Sequence, residues 1–155
     1  MTIVNLAQPP TGGDFRSIFA RTAAETGFLL TANDRSGVER MLRHRGTKHA
    51  PNPALLNGLL RHKLRISQPA PEPVPPTLVV AGCHVTYMIS GEGARSGTLV
   101  MSSVPVPGRL LVATLLGATL LGMRKMQKVP LLRDTGEIDT LVVLDVAPPP
   151  EFDAA

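Results

Sequence analysis

The sequence predicts an α+β protein in which an antiparallel pair of helices precedes an antiparallel β domain built around one short helix. Three observations lead there. The run Arg109–Gly122, RLLVATLLGATLLG, changes period midway, from strand alternation to helical spacing. Residues 31–66 carry two apolar stripes at helical spacing, separated by a short turn. Between these regions lies SQPAPEPVPPT, Ser67–Thr77, whose five prolines fix φ and donate no backbone hydrogen bond.

The 155 residues suit one main body with an appendage. Hydrophobic content of 43% supports a packed core, and aromatic content of 3% means that Leu, Val, Ile and Met build it. No uninterrupted apolar run approaches the roughly 18 residues of a membrane span. The first ten residues lack Lys and Arg and contain Pro9 and Pro10, which does not fit a secretory signal. Cys83 stands alone, so no internal disulfide forms and a reducing compartment is expected. A cytoplasmic protein without a membrane partner follows, expected as a monomer.

Taken in order, residues 1–27 read as a flexible extension with a short helix from Asp14 to about Ala24, marked by Phe15, Ile18, Phe19 and Ala23. Phe28–Leu30 is an extended entry. Thr31 and Asp34 resemble a capping box, with Asp replacing the usual Glu, before a helix that ends near Arg43 and carries Val38, Met41 and Leu42. Gly46 and Pro51 mark the turn. Asn52 caps the next helix, Pro53 takes its first position, and Leu55, Leu56, Leu59, Leu60 and Leu64 form its apolar face. At about 1.5 Å per residue each arm of this hairpin, residues 28–66, is roughly 18–20 Å long. Residues 67–77 are a semi-rigid linker and domain boundary.

The second domain, residues 78–147, opens with the strand HVTYMI, His84–Ile89. Gly91 and Gly93 turn the chain into a return strand, Gly97–Met101, and Pro105, Pro107 and Gly108 form the loop into the central run. There Thr114 caps a helix with Leu116, Leu120 and Leu121 on one face, and Gly122 ends it. Lys128–Leu132 and Ile138–Val146 are strands joined by the turn Asp134-Thr135-Gly136. Residues 148–155 are a tail.

Charge is unevenly placed. Of the net +4, residues 31–66 hold more than all: Arg35, Arg40, Arg43, Arg45, Lys48, Arg61, Lys63 and Arg65 face only Asp34 and Glu39. An acidic partner is steered to that segment.

The order of parts resembles the C-terminal domain of the Gre transcript-cleavage factors, GreA and GreB, and more closely their relative, the regulator of nucleoside diphosphate kinase. The carrying residues are Thr114, Gly117, Leu120, Leu121 and Gly122 of TLLGATLLG, where the family shows a pattern like SPLGAALLG. The strand RLLV before it, the strand after it and the TGE turn fall in matching order. The two-helix region, PEPVPPTLV and VTYMI match the regulator's layout, so the resemblance spans about residues 28–147. Leu115 replaces the family's proline, and Met126 and Gln127 replace its glycine-aspartate turn. The resemblance implies an FKBP-like β domain that docks on RNA polymerase near the secondary channel. It points to Thr114, Leu116, Gly117, Leu120, Gly122, Met123 and Met126 as docking residues.

Gre factors hold a catalytic magnesium ion with carboxylates at the tip of a long coiled coil, and hard cations require such oxygens. Here the tip, Arg43-His44-Arg45-Gly46-Thr47-Lys48-His49, has none and its arms are short. Transcript cleavage is therefore not expected. The basic residues Arg40, Arg43, Arg45, Lys48, Arg61 and Arg65 suit an acidic protein surface or nucleic acid; no aromatic residue separates them, so base stacking is not indicated. His44 and His49 lie among cations, which disfavours a metal site. No nucleophile–base arrangement is readable, and the scarcity of aromatics argues against a prolyl-isomerase pocket. Asp134, Glu137 and Asp139 read as solvated carboxylates. The sequence thus predicts a non-enzymatic polymerase-binding regulator of transcription without cofactor or metal. A nucleic-acid-binding module and a regulator of nucleoside diphosphate kinase are the alternatives.

Overall fold

The structure, a computed structural model, describes residues 27–149. The helix expected at residues 14–24 and the end of the tail lie outside the described residues. The elements are β1 (Leu29–Leu30), α1 (Ala32–Arg43), α2 (Pro53–Ile66), β2 (Gln68–Pro69), β3 (His84–Ile89), β4 (Arg95–Val100), β5 (Arg109–Leu111), α3 (Leu115–Leu120), β6 (Lys128–Leu132) and β7 (Ile138–Ala147).

Five strands form one sheet in the order β5-β4-β3-β7-β6. Burial in β3 alternates as a one-sided strand requires: Val85, Tyr87 and Ile89 face the core, while His84 and Met88 face out. The β3–β7 ladder shifts register between Thr86 and Tyr87, a local irregularity that bends the sheet. One pairing corrects the expectation of a wholly antiparallel sheet: β5 runs parallel to β4, with Thr98 opposite Arg109 and Val100 opposite Leu111. The loop through Pro105, Pro107 and Gly108 carries the chain back to the middle of β4, opposite Thr98, before it pairs, so it acts as a crossover and not as a hairpin turn.

The helix α3 sits against β5 and β6. Thr114 caps it by accepting from the Gly117 N–H at 3.0 Å, and its own hydroxyl donates to Leu111 O. Its buried side is Leu115, Ala118, Thr119 and Leu120; Leu116, assigned to that side from the spacing, is half-buried. Two glycines of the motif have steric causes. A Cβ on Gly117 would lie 1.8 Å from Leu111 O, so helix and strand meet backbone to backbone. Gly122 has φ +86°, and a Cβ there would lie 2.9 Å from Leu29 O.

Thr31 caps α1 through the Asp34 N–H at 3.0 Å, and Asn52 caps α2 through the Leu55 N–H at 3.2 Å. Asp34 also hydrogen-bonds the Thr31 side chain. Its carboxylate reaches across to accept from the Ala81 N–H at 3.2 Å.

The proline-rich segment is anchored at both ends. At its start β2 pairs in parallel with β1, and Ala70 N–H donates to Leu30 O. Just beyond it, Val79 exchanges backbone bonds with Gly122 and Met123. Residues 121–123 are thereby gripped between the β1 and Val79 segments, since Leu29 N–H also donates to Gly122 O. In consequence Val38, Leu56, Leu59 and Leu60 of the helices belong to the same hydrophobic cluster as Val85, Leu99, Leu120 and Val143.

Candidate functional site

Two surfaces stand out, a groove beside α3 and a charged face on α1 and α2.

The groove lies at the N-terminal end of α3. Thr114, Leu115 and Leu116 border a groove of about 240 Å³ with Tyr87 and Ile89 of β3 and Leu131 and Leu132 of β6. Its rim is charged on both sides. Arg95 pairs with Glu92 at 3.5 Å beside the β3–β4 turn, and Arg133 pairs with Asp139 at 3.5 Å beside the β6–β7 turn, with Asp134 next to it. Burial, the larger influence, pushes the Tyr87 hydroxyl above its ordinary titration range. Buried apolar side chains floor the groove, and its accessible surface is mixed, with more polar than apolar atoms.

The seven docking residues taken from the motif divide sharply. Thr114 and Leu116 border the groove, whereas Met126, 62% exposed, lies on the turn after the other end of α3 and is not part of it. Gly117, Leu120, Gly122 and Met123 are buried beneath the surface. Sequence reasoning missed Tyr87, Ile89, Leu131 and Leu132. Their inward alternation was visible in β3 and β6, but not that the two strands would border one groove with α3.

Met126 carries a second structural lesson. Its φ is +70°, a conformation suited to glycine, and its N–H donates to Val143 O. Beside it, Gln127 Oε1 accepts from the Arg124 N–H at 2.8 Å, and Gln127 Nε2 donates to Gly27 O at 2.9 Å. The turn keeps its geometry with a strained methionine and a long amide.

The charged surface lies on α1, α2 and the turn between them. Arg40, Arg43, Arg45, Lys48, Arg61 and Arg65 are all exposed, and none makes an ion pair among the described residues. Gly46 N–H to Met41 O at 2.8 Å, together with Arg45 at φ +53°, folds the turn tightly. Residues 44–52 contain no carboxylate.

The other two basic residues of the segment are drawn inward. Arg35 donates to Leu64 O and Ser67 O, carbonyls at the C-terminal end of α2. Lys63 is 1% exposed; its Nζ donates to Thr119 O at 2.8 Å and Leu121 O at 2.7 Å and lies 4.0 Å from the centre of the Phe28 ring. Loss of hydration pushes its ammonium down to about 7. The two carbonyls at the end of α3 and the face of the ring are the groups that receive its charge. Nothing in the sequence separates Lys63 from its basic neighbours except its place on the apolar side of α2, one turn after Leu59 and Leu60.

Among the described residues no group of three or more His, Cys, Asp or Glu could hold a metal ion, and no helix is long and apolar enough to cross a membrane.

No protein-family model matches the chain, and no curated protein matches it. Solved structures do. A prokaryotic transcription elongation factor GreA/GreB from Nitrosomonas europaea superposes with a TM-score of 0.55 at 18% identity, covering 78% of this chain and 99% of that one. The GreA factor homolog of Thermus thermophilus aligns over 79% of this chain and 99% of its own, at 16% identity and a TM-score of 0.37. The chain therefore has a GreA/GreB-like fold.

Proposed function

We propose that this protein is a non-enzymatic regulator of transcription elongation that binds RNA polymerase near its secondary channel and does not promote transcript cleavage. The observation that carries the reading is the groove at α3. Within a GreA/GreB-like fold, the segment of the motif that reaches the surface borders a depression floored by buried apolar side chains and rimmed by charged ones. On this reading residues 78–147 are an FKBP-like docking domain of the Gre type, and residues 28–66 are a basic helical hairpin beside it.

The absence of cleavage follows from chemistry. Holding magnesium needs carboxylate oxygens at the tip. Here the turn presents Arg43, Arg45 and Lys48 instead, whose charge repels a divalent cation. These cations suit an acidic surface at the channel entrance, where the turn would obstruct other factors.

Two assays test this. The protein should co-purify with core polymerase at low salt and be displaced by a Gre factor. Added to a backtracked elongation complex, it should slow Gre-dependent cleavage and release no transcript fragment by itself. Failure to bind at low salt overturns the docking claim, and fragment release overturns the rest.

The six exposed basic side chains, none of them in an ion pair among the described residues, favour a second reading, nucleic-acid binding through α1 and α2. It predicts binding to nucleic acid alone that weakens steeply with salt.

A further inference from the structure

The turn between α3 and β6 keeps a methionine where the backbone favours glycine. Met126 has φ +70°, a conformation that any side chain makes costly. The turn is tied down on several sides and cannot relax it. Lys125 N–H donates to Thr77 O at 2.9 Å and Met126 N–H to Val143 O at 2.6 Å, while the Gln127 amide bonds both the Arg124 N–H and Gly27 O. Met126 is 62% exposed, so little packing within the chain offsets the strain. Strain held at an exposed side chain by surroundings that over-determine it points to a use outside the chain.

The neighbours of Met126 indicate what kind of use. Lys125 and Lys128 flank it, and both are exposed. Lys125 pairs with Asp145 at 3.3 Å, whereas Lys128 is in no ion pair among the described residues. Lys128 stands opposite Val142, and Val142 opposite Met88, so these three form a row across the outer face of β6, β7 and β3. Met126 adjoins the row through its bond to Val143. Met88 and Ile138, both exposed, lie on that same face, Ile138 by its register with Leu132. Exposed apolar side chains that gather in this way mark an interaction surface, where scattered ones would not. A phosphate backbone or a base would be met by guanidinium groups and aromatic planes, and neither lies in the row. A flexible, polarisable thioether beside an ammonium suits a protein surface that offers an apolar patch and a carboxylate.

We propose that Met126, Lys128 and Met88 form a second contact with the polymerase, receiving an apolar protein segment that carries a carboxylate opposite Lys128. The contact rests on the polymerase reading and is separate from the α3 groove, because Met126 follows the other end of that helix. Met126 supplies the apolar anchor, and Lys128 supplies the charge that orients the partner.

The test is affinity for core polymerase at low salt, measured with the full chain and with variants shown folded by circular dichroism. Met126→Gly relieves the positive φ, so it should fold at least as well and yet bind about tenfold more weakly. Met126→Leu keeps the apolar reach and should bind within about threefold of the unmodified protein. Lys128→Glu should also lose about tenfold, a loss that shrinks as salt rises. Unaltered affinity in Met126→Gly, with Leu116→Asp still weakened, overturns this contact and leaves the α3 groove standing. Equal losses in Met126→Gly and Met126→Leu overturn the apolar anchor. Absence of binding by the unmodified protein overturns both contacts. A free protein that dimerises in sedimentation, and that Met126→Gly makes monomeric, assigns the face to a second copy and overturns the proposal as well.

Discussion

The segment around α3 and the turn between α1 and α2 are built on opposite principles. In the first, backbone touches backbone: Gly117 lies on the Leu111 carbonyl and Gly122 on the Leu29 carbonyl, and no side chain there carries charge. In the second, no large side chain is fully buried, and cations crowd the surface without carboxylates among them. The first region is where a substitution threatens the fold. The second is where a substitution changes what the protein meets. A motif that marks the fold is thus a poor list of contact residues, because most of its members are recognisable for being buried.

The largest effect should come from the first region. Gly117→Ala drives a Cβ into Leu111 O and should cost more than about 3 kcal/mol, or prevent folding, as read by chemical denaturation. Normal stability would mean that α3 moves freely off β5.

Lys63→Ala should come next, because it opens a cavity and leaves Thr119 O and Leu121 O unpaired, at about 3 kcal/mol. Lys63 also gives a pH dependence of known sign. Its folded pKa, about 7, lies below the ordinary 10.5. Below pH 7 both states hold the proton and the contribution is flat. Between 7 and 10.5 the unfolded chain holds more protons, so stability rises with pH through that window. Lys63→Met should remove this rise in denaturation curves collected across the window; an unchanged pH profile would mean that Lys63 stays charged in its site.

Charge reversal of Arg43, Arg45 and Lys48 sharpens the contrast from the other side. It should leave the melting temperature nearly unchanged, since these side chains are exposed. Partner affinity should fall, and the salt dependence should flatten.

The smallest effect is expected at Met126. Glycine there relieves the positive φ but adds freedom to the unfolded chain, so Met126→Gly should raise stability by only about 0.5 kcal/mol in thermal melts. A loss would mean that the exposed methionine packs more than its 62% exposure indicates.

Local chemistry was legible in the sequence wherever a side chain acts on its own segment. Thr31, Asn52 and Thr114 each cap a helix as their positions suggest, and Gly122 takes the left-handed conformation that its place after a helix requires. What escaped were consequences of distant partners. Asp34 bonds a residue 47 positions away and Lys63 residues 56 and 58 away, so neither destination is written locally. The parallel β4–β5 pairing was hidden for the same reason, because eight residues of loop look alike whether the strand returns beside its predecessor or crosses back. At the candidate site, Thr114 and Leu116 were found through the motif, while Tyr87 and Leu131 required the sheet to be assembled first.

Binding of core polymerase to the unmodified protein and to Leu116→Asp tests the central claim most directly. Leu116 is half-buried at the groove edge, so the folded state tolerates the change while a docked partner meets an unpaired charge. The account predicts low-salt binding by the unmodified protein and a loss of about thirtyfold or more, roughly 2 kcal/mol, in the folded variant. Equal binding by the two would contradict it.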